Sequence, residues 1–255
     1  MSAAKSSPAL TVNDLFMDTV RRMPNAMAYA DQHLEKDYKS LETDVERCAV
    51  RLANSGVSRG HRVALIDADG YDMVVLLLAV WWIGGVTVPV NRTQPKDTIV
   101  RIINKSQPSY AVVGDDWAEW SGGVSVVEIQ PLHRDKLVLS DLETTLPSLS
   151  ASAVSAESDA MILFTSGTTG TPKGVLHSHE ALTLNAMEMS AMFGLNESHR
   201  LYMNIPLYFS NSISHFLMAV FRGACLCYST GFQFGEGLLR EAESMRANVF
   251  GGVPS

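Results

Sequence analysis

Cysteine is scarce: Cys48, Cys225 and Cys227 are the only three. Their odd number and the lack of Cys-x-x-Cys spacing exclude a disulfide framework and a cysteine zinc site, and place the chain in a reducing cytoplasm. Charge is also sparse, at 18% of residues, with 20 Lys plus Arg against 27 Asp plus Glu. A net charge of -7 repels a phosphodiester backbone, so nucleic acid is not an expected partner. The most apolar run, Met73 to Ile83, stops at Gly84-Gly85 and is too short to cross a bilayer, so no transmembrane segment is expected. Residues 1–10 are Ser- and Ala-rich without an apolar centre, which excludes the build of a secretory signal and reads as a flexible tail. No Gly-x-Gly-x-x-Gly follows the early strands, and there is no internal repeat.

The chain has 255 residues, 46% of them apolar, enough to bury a sizeable core. Apolar spacing predicts a helix from Val12 to Met23, stopped by Pro24, and a hairpin through Ala26 to Tyr38. A second helix is expected from an N-cap at Ser40 to Gly56. Short apolar runs predict strands at 62–67, 86–90, 110–114 and 124–129, with helices at 71–83 and 95–105 between them. Residues 140–158 hold six serines, one proline and no sustained period, and read as a linker or surface excursion. Beyond it, strands are expected at 160–164, 174–177, 201–205, 224–228 and 248–250, with helices at 179–193, 212–221 and 234–245. This alternation is that of an α/β fold, βαβ units building a mostly parallel sheet with helices on its faces. It divides the sequence into a tail (1–10), a first α/β subdomain (11–139), the Ser-rich segment (140–158) and a second α/β segment (159–255). The sequence stops at Gly251-Gly252-Val253-Pro254-Ser255, directly after an apolar strand, and further polypeptide or a complementing chain is expected there.

One segment calls for a chemical explanation: Thr165-Ser166-Gly167-Thr168-Thr169-Gly170-Thr171-Pro172-Lys173-Gly174. Glycines at 167, 170 and 174 permit positive φ and leave backbone N–H groups uncovered, so successive amides can converge on an anion. The hydroxyls of Thr165, Ser166, Thr168 and Thr169 add neutral donors, and Lys173 adds a full charge on a flexible stem. A flexible Gly/Thr linker is the bland alternative. Against it, the loop is short and clamped between apolar strands, and Lys173 is the only lysine from Leu137 to Ser255. Pro172 and Gly174 flank the lysine where a Walker A loop has Gly and Ser or Thr, so an ordinary P-loop NTPase is disfavoured.

Phe164 to Gly174 resembles the signature loop of the adenylate-forming (AMP-binding) superfamily, in its acyl-CoA synthetase and ligase branch. The likeness runs from Val12 to Ser255 and takes in Gly60-His61-Arg62-Val63-Ala64, Gly84-Gly85 before Val88-Pro89-Val90-Asn91, and Val253-Pro254-Ser255. It implies the N-terminal half of that family's large domain, incomplete here, an α/β fold of mostly parallel sheets flanked by helices (αβαβα type). It further implies that a carboxylic acid, fatty or aryl, is activated by ATP with Mg2+ to an acyl-adenylate and pyrophosphate, then passed to a thiol such as coenzyme A. By the same resemblance Thr165, Ser166, Gly167, Thr168, Thr169, Gly170 and Lys173 would hold the β- and γ-phosphates, with Lys173 catalytic. Donors that grip the leaving pyrophosphate stabilise charge that grows in the transition state.

The stretch Ile205 to Ser212 resembles the family's acyl-pocket region, which makes Tyr208, Phe209 and Asn211 candidate substrate residues. Amino-acid-activating members place an aspartate where Ser210 aligns, so nothing there pairs a substrate ammonium. Many acyl- and aryl-CoA ligases have histidine where Phe209 stands; a wall of Tyr208 and Phe209 points to an apolar acid. Two core aromatics under a loop would look the same. His177 and His179 lack the i,i+4 spacing of a helical zinc pair and read as helix-entry contacts. Cys225 and Cys227 read as buried small residues of a strand. The family's nucleotide-orienting residues, acidic magnesium ligand and further lysine fall beyond Ser255, so the chain alone is expected to make little or no acyl-adenylate. The alternative is a non-catalytic module that binds an acyl ligand or a partner through the same fold, followed by a nucleotide-dependent switch.

Overall fold

The computed structural model describes residues 10–66, 68–116, 130–138, 154–165, 172–229 and 235–251. Within them the chain runs α1 (Val12–Arg22), β1 (Met27–Ala30), β2 (Glu35–Asp37), α2 (Tyr38–Asn54), β3 (Arg62–Leu65), α3 (Gly70–Trp82), β4 (Val86–Pro89), α4 (Lys96–Ser106) and β5 (Tyr110–Val113). It continues through β6 (Gln130–His133), α5 (Arg134–Val138), β7 (Asp159–Thr165), β8 (Lys173–Ser178), α6 (His179–Met192), β9 (Arg200–Met203), α7 (Ser210–Arg222), β10 (Cys225–Tyr228), α8 (Glu236–Ser244) and β11 (Val249–Gly251). The strand expected at 124–129 lies outside the described residues; β6 and the short α5 follow it.

Local chemistry sets the helix ends. At α1, the Thr11 hydroxyl accepts from the Asp14 N–H (3.1 Å) while the Asp14 carboxylate accepts from the Thr11 N–H (2.9 Å), a reciprocal capping box. Helix α2 begins three residues before the expected position. Asp37, not Ser40, is its cap, accepting from the Ser40 N–H at 2.7 Å. A carboxylate is a stronger acceptor than a hydroxyl, and hydrogen bonds from the Ser40 side chain and backbone lower the Asp37 pKa.

Two sheets form. One has six strands in the order β6-β5-β3-β4-β7-β8, the other five in the order β11-β9-β10-β1-β2. All neighbours are parallel except the two end pairs, β7–β8 and β1–β2. Strands from both sides of residues 140–158 share each sheet: β7 pairs β4, and β1 pairs β10. Subdivision of the chain at that segment therefore remains a proposal about sequence.

Strand alternation assigns each residue to a layer. Val63 and Leu65 of β3 face a core shared with Tyr29 of β1, Met203 of β9 and Leu226 of β10, while Ala64 and Ile66 face a second core with Ile99, Ile102 and Ile103 of α4. On the far side of the five-stranded sheet Ala30, Cys225 and Cys227 meet Ala242 of α8. The order of layers is thus α4, six-stranded sheet, then α1, α2, α3 and α7, then five-stranded sheet, and α8: an αβαβα stack. Residues 73–82 of α3 are all buried, as a helix between two sheets must be. Buried polar bonds stitch this middle layer. Trp81 Nε1 donates to the Ala160 carbonyl (2.8 Å), Asn13 Nδ2 to the Trp81 carbonyl (2.8 Å), and the Tyr38 hydroxyl to the Ala224 carbonyl (2.8 Å). Each satisfies a group whose burial would otherwise cost about 1–3 kcal/mol.

Candidate active site

In parallel α/β sheets the loops at the carboxyl ends of the strands form the ligand crevice. Thr165 stands at that end of β7. The antiparallel register pairs it with Lys173 at the start of β8, so the two open a hairpin. Both Thr165 and Lys173 are exposed, and Lys173 makes no ion pair with another described residue. Ser166, Gly167, Thr168, Thr169 and Gly170 lie outside the described residues.

The exit of this hairpin is anchored. Pro172 is buried, and its carbonyl accepts from Lys105 Nζ, in the last turn of α4, at 2.9 Å. Gly174 does something other than expected. It is not among the positive-φ residues; it sits opposite Phe164, and an added Cβ would lie 3.0 Å from the Phe164 ring and 3.1 Å from Ile162 Cγ2. Glycine is there so that the ring can lie over the strand, a cross-strand packing need and no requirement of anion binding.

The carboxyl ends of the other sheet meet the same region. Tyr228, ending β10, donates to Asp69 Oδ1 at 2.5 Å across from the β3–α3 loop. Burial, then the Asp69 charge, raises the Tyr228 pKa. Tyr208, in the β9–α7 loop, is raised by burial and by the same Asp69, with an opposing hydrogen bond to Thr93 beyond β4. Asp69 thereby ties the loops of both sheets together. Tyr208 packs against Phe209 with centroids 4.8 Å apart. Phe209 is 42% exposed and occupies the N-cap of α7 without a side-chain cap bond.

Of the three candidate substrate residues, Asn211 lines a partly open cavity among the described residues. A cavity of about 320 Å³ lies between α6, β9, α7 and β11, walled by Met189, Phe193, Leu195, Leu201, Met218, Val249 and Phe250. Asn211 and His215 are its polar members. Sequence reading missed His215, although its i+4 spacing from Asn211 on a helix was a usable signal. It also missed Lys105, for which no local pattern exists.

His179 contributes to folding. Its ring is fully buried, Nδ1 accepts weakly from the Val12 N–H (3.4 Å), and Nε2 has no partner. Burial, opposed by the Asp14 charge, lowers its pKa to about 4. Among the described residues no group of three or more His, Cys, Asp or Glu could hold a metal ion. No helix of the described residues is long and apolar enough to cross a membrane.

The family model described as "AMP-binding enzyme" matches residues 16–255. FR901469 synthetase of a Dothideomycetidae species is 28% identical over 245 residues, covering 96% of this chain and 2% of that protein. The N-terminal subdomain of Klebsiella oxytoca NpsA, solved with 3-hydroxybenzoyl-AMSN, superposes with a TM-score of 0.79 at 24% identity, over 94% of this chain and 59% of that one. Bacillus subtilis o-succinylbenzoate CoA synthetase, MenE, solved with its acyl-adenylate intermediate, gives 0.82 at 18% identity, over 93% and 60%.

Proposed function

The chain belongs to the AMP-binding enzyme family, and on that premise we propose that it supplies the phosphate-gripping and acid-holding half of an enzyme that converts a carboxylic acid and ATP to an acyl-adenylate and pyrophosphate. Its fold is that of the N-terminal subdomain of adenylate-forming enzymes. The acyl group then passes to a thiol, with coenzyme A as acceptor and a fatty or aryl acid as substrate. The chain spans about 60% of its solved neighbours, so the whole reaction is read as that of a longer polypeptide or a complemented one.

The observation that carries the reading is the Thr165–Lys173 pair, opened at the carboxyl end of β7 with the hairpin exit tied to α4. Thr165, Ser166, Gly167, Thr168, Thr169, Gly170 and Lys173 hold the β- and γ-phosphates. As the carboxylate attacks the α-phosphorus, the bond to the bridging oxygen breaks and negative charge moves onto the departing pyrophosphate. The hydroxyls, amides and Lys173 ammonium of this loop stabilise that charge more than they stabilise bound ATP. In this reading Asn211, which lines the cavity at the entry to α7, contacts the acid, and Tyr208 and Phe209, which do not line it, are further contacts. Magnesium accompanies ATP in a structure of the Bacillus subtilis neighbour. The described residues here offer no cluster for the ion, and no step of the proposal runs through it.

Isotope exchange between ATP and pyrophosphate tests the reading. A polypeptide extending this sequence to the length of its solved neighbours is expected to catalyse acid-dependent exchange, and K173A to lower it about 100-fold, the scale for a leaving-group donor. Undiminished exchange by K173A would refute the role of the lysine. Robust exchange by the 255-residue chain alone would refute the claim that positioning groups are missing.

A further inference from the structure

Two hydrogen-bond acceptors beside the cavity, one on Asn211 and one on His215, take no hydrogen bond from a described residue. Asn211 Oδ1 is buried without a partner. His215, one helical turn on, places Nδ1 2.7 Å from the Asn211 carbonyl. A carbonyl only accepts, so Nδ1 carries the hydrogen, and in the neutral ring Nε2 is left with a lone pair. Nε2 makes no hydrogen bond to another described residue. The ring lies over Gly251 at the end of β11, where an added Cβ would fall 2.8 Å from His215 Cδ2 and 3.2 Å from Nε2. An amide oxygen buried without a donor is costly, and native proteins rarely leave one so unless water or a ligand completes it.

We infer that this cavity reads a hydroxyl group on the acid: the substrate is an aryl acid carrying a phenolic or comparable hydroxyl, which donates to His215 Nε2 or to Asn211 Oδ1. The inference rests on the acid-activating reading and deepens it. The remaining wall argues for the aryl part, since Phe193 and Phe250 flank a space of about 320 Å³, near the lower end for small-molecule sites. A substrate ammonium could also donate, but no carboxylate lines the cavity to balance its charge, and an unpaired buried cation is strongly disfavoured. A hydroxyl needs only the acceptors already present. Sites built to hydrogen-bond a hydroxyl reject the analogue lacking it far better than apolar pockets reject one added, because the site's own polar groups are then stranded. This replaces the wholly apolar acid that Tyr208 and Phe209 suggested.

Calorimetric titration of the 255-residue chain at pH 8 with phenylacetate and its 2-, 3- and 4-hydroxy isomers tests the inference. At least one hydroxy isomer is expected to bind about tenfold tighter than phenylacetate, the scale of one net hydrogen bond. That preference should fall below threefold in His215→Leu or in Asn211→Ala; the second variant approaches the same contact from the other side should the first fail to fold. No isomer exceeding phenylacetate by threefold, or a preference kept by both variants, would overturn the inference. Failure of the acid-activating reading shows separately, as pyrophosphate binding indifferent to Lys173, which these titrations do not touch.

Discussion

Replacing His179 by asparagine should remove a pH dependence of stability centred on one buried ring. His179 is fully buried at the start of α6 and touches the first turn of α1, where Nδ1 accepts from the Val12 N–H. Its pKa of about 4 in the folded chain, against an ordinary 6.5, corresponds to roughly 3 kcal/mol. Above pH 6.5 the ring is neutral whether folded or unfolded, and it imposes no penalty. Between 6.5 and about 4 the unfolded chain takes up a proton that the folded chain refuses, so stability falls as pH falls; below about 4 the loss is complete. Asparagine offers an oxygen near the Nδ1 position and does not titrate. Urea unfolding at intervals from pH 7.5 to 4, on the wild type and His179→Asn, isolates this group because the carboxylates titrate alike in both. The wild type should lose about 3 kcal/mol more than the variant over that range. Parallel curves would refute the argument and mean that the ring is hydrated or paired when charged.

Lys105→Met should free the Pro172 carbonyl from α4 and lower pyrophosphate affinity about three- to tenfold in a titration, while the urea midpoint barely moves, since a single partly exposed charged hydrogen bond contributes little to folding. Equal affinity would show that the hairpin exit needs no anchor. Gly174→Ala should destabilise by about 1–2 kcal/mol in urea unfolding, because its Cβ would press on Phe164 and Ile162. Phe164→Leu should recover most of that loss, and a loss that Phe164→Leu leaves intact would show that the ring is not the obstacle.

Local order was readable wherever one residue's neighbours decide its fate. The Val12 and His179 helices, the Arg62 and Val86 strands and the α/β alternation follow from periodicity, since burial on one or two faces leaves its mark on composition. Sheet membership was not readable. That β1 would leave the strands following it to pair with β10, while β7 would return to β4, depends on contacts across more than a hundred residues in the first case and about seventy in the second, which local spacing does not encode. The cap of α2 moved from Ser40 to Asp37 because two competing acceptors stood three residues apart and the stronger one won. In the candidate site, glycines and hydroxyls announced the hairpin, but composition could not separate a glycine needed for anion binding from Gly174, which makes room for Phe164. Lys105 was invisible because its only tie to the loop is tertiary.

Direct binding of pyrophosphate to the chain offers the plainest test of the polyphosphate cradle. A magnesium-free titration of the wild type, K173A and Thr165→Val should show saturable binding by the wild type, weakened tenfold or more by loss of the ammonium and less by loss of the hydroxyl. Pyrophosphate bound equally well by the wild type and K173A would contradict the account.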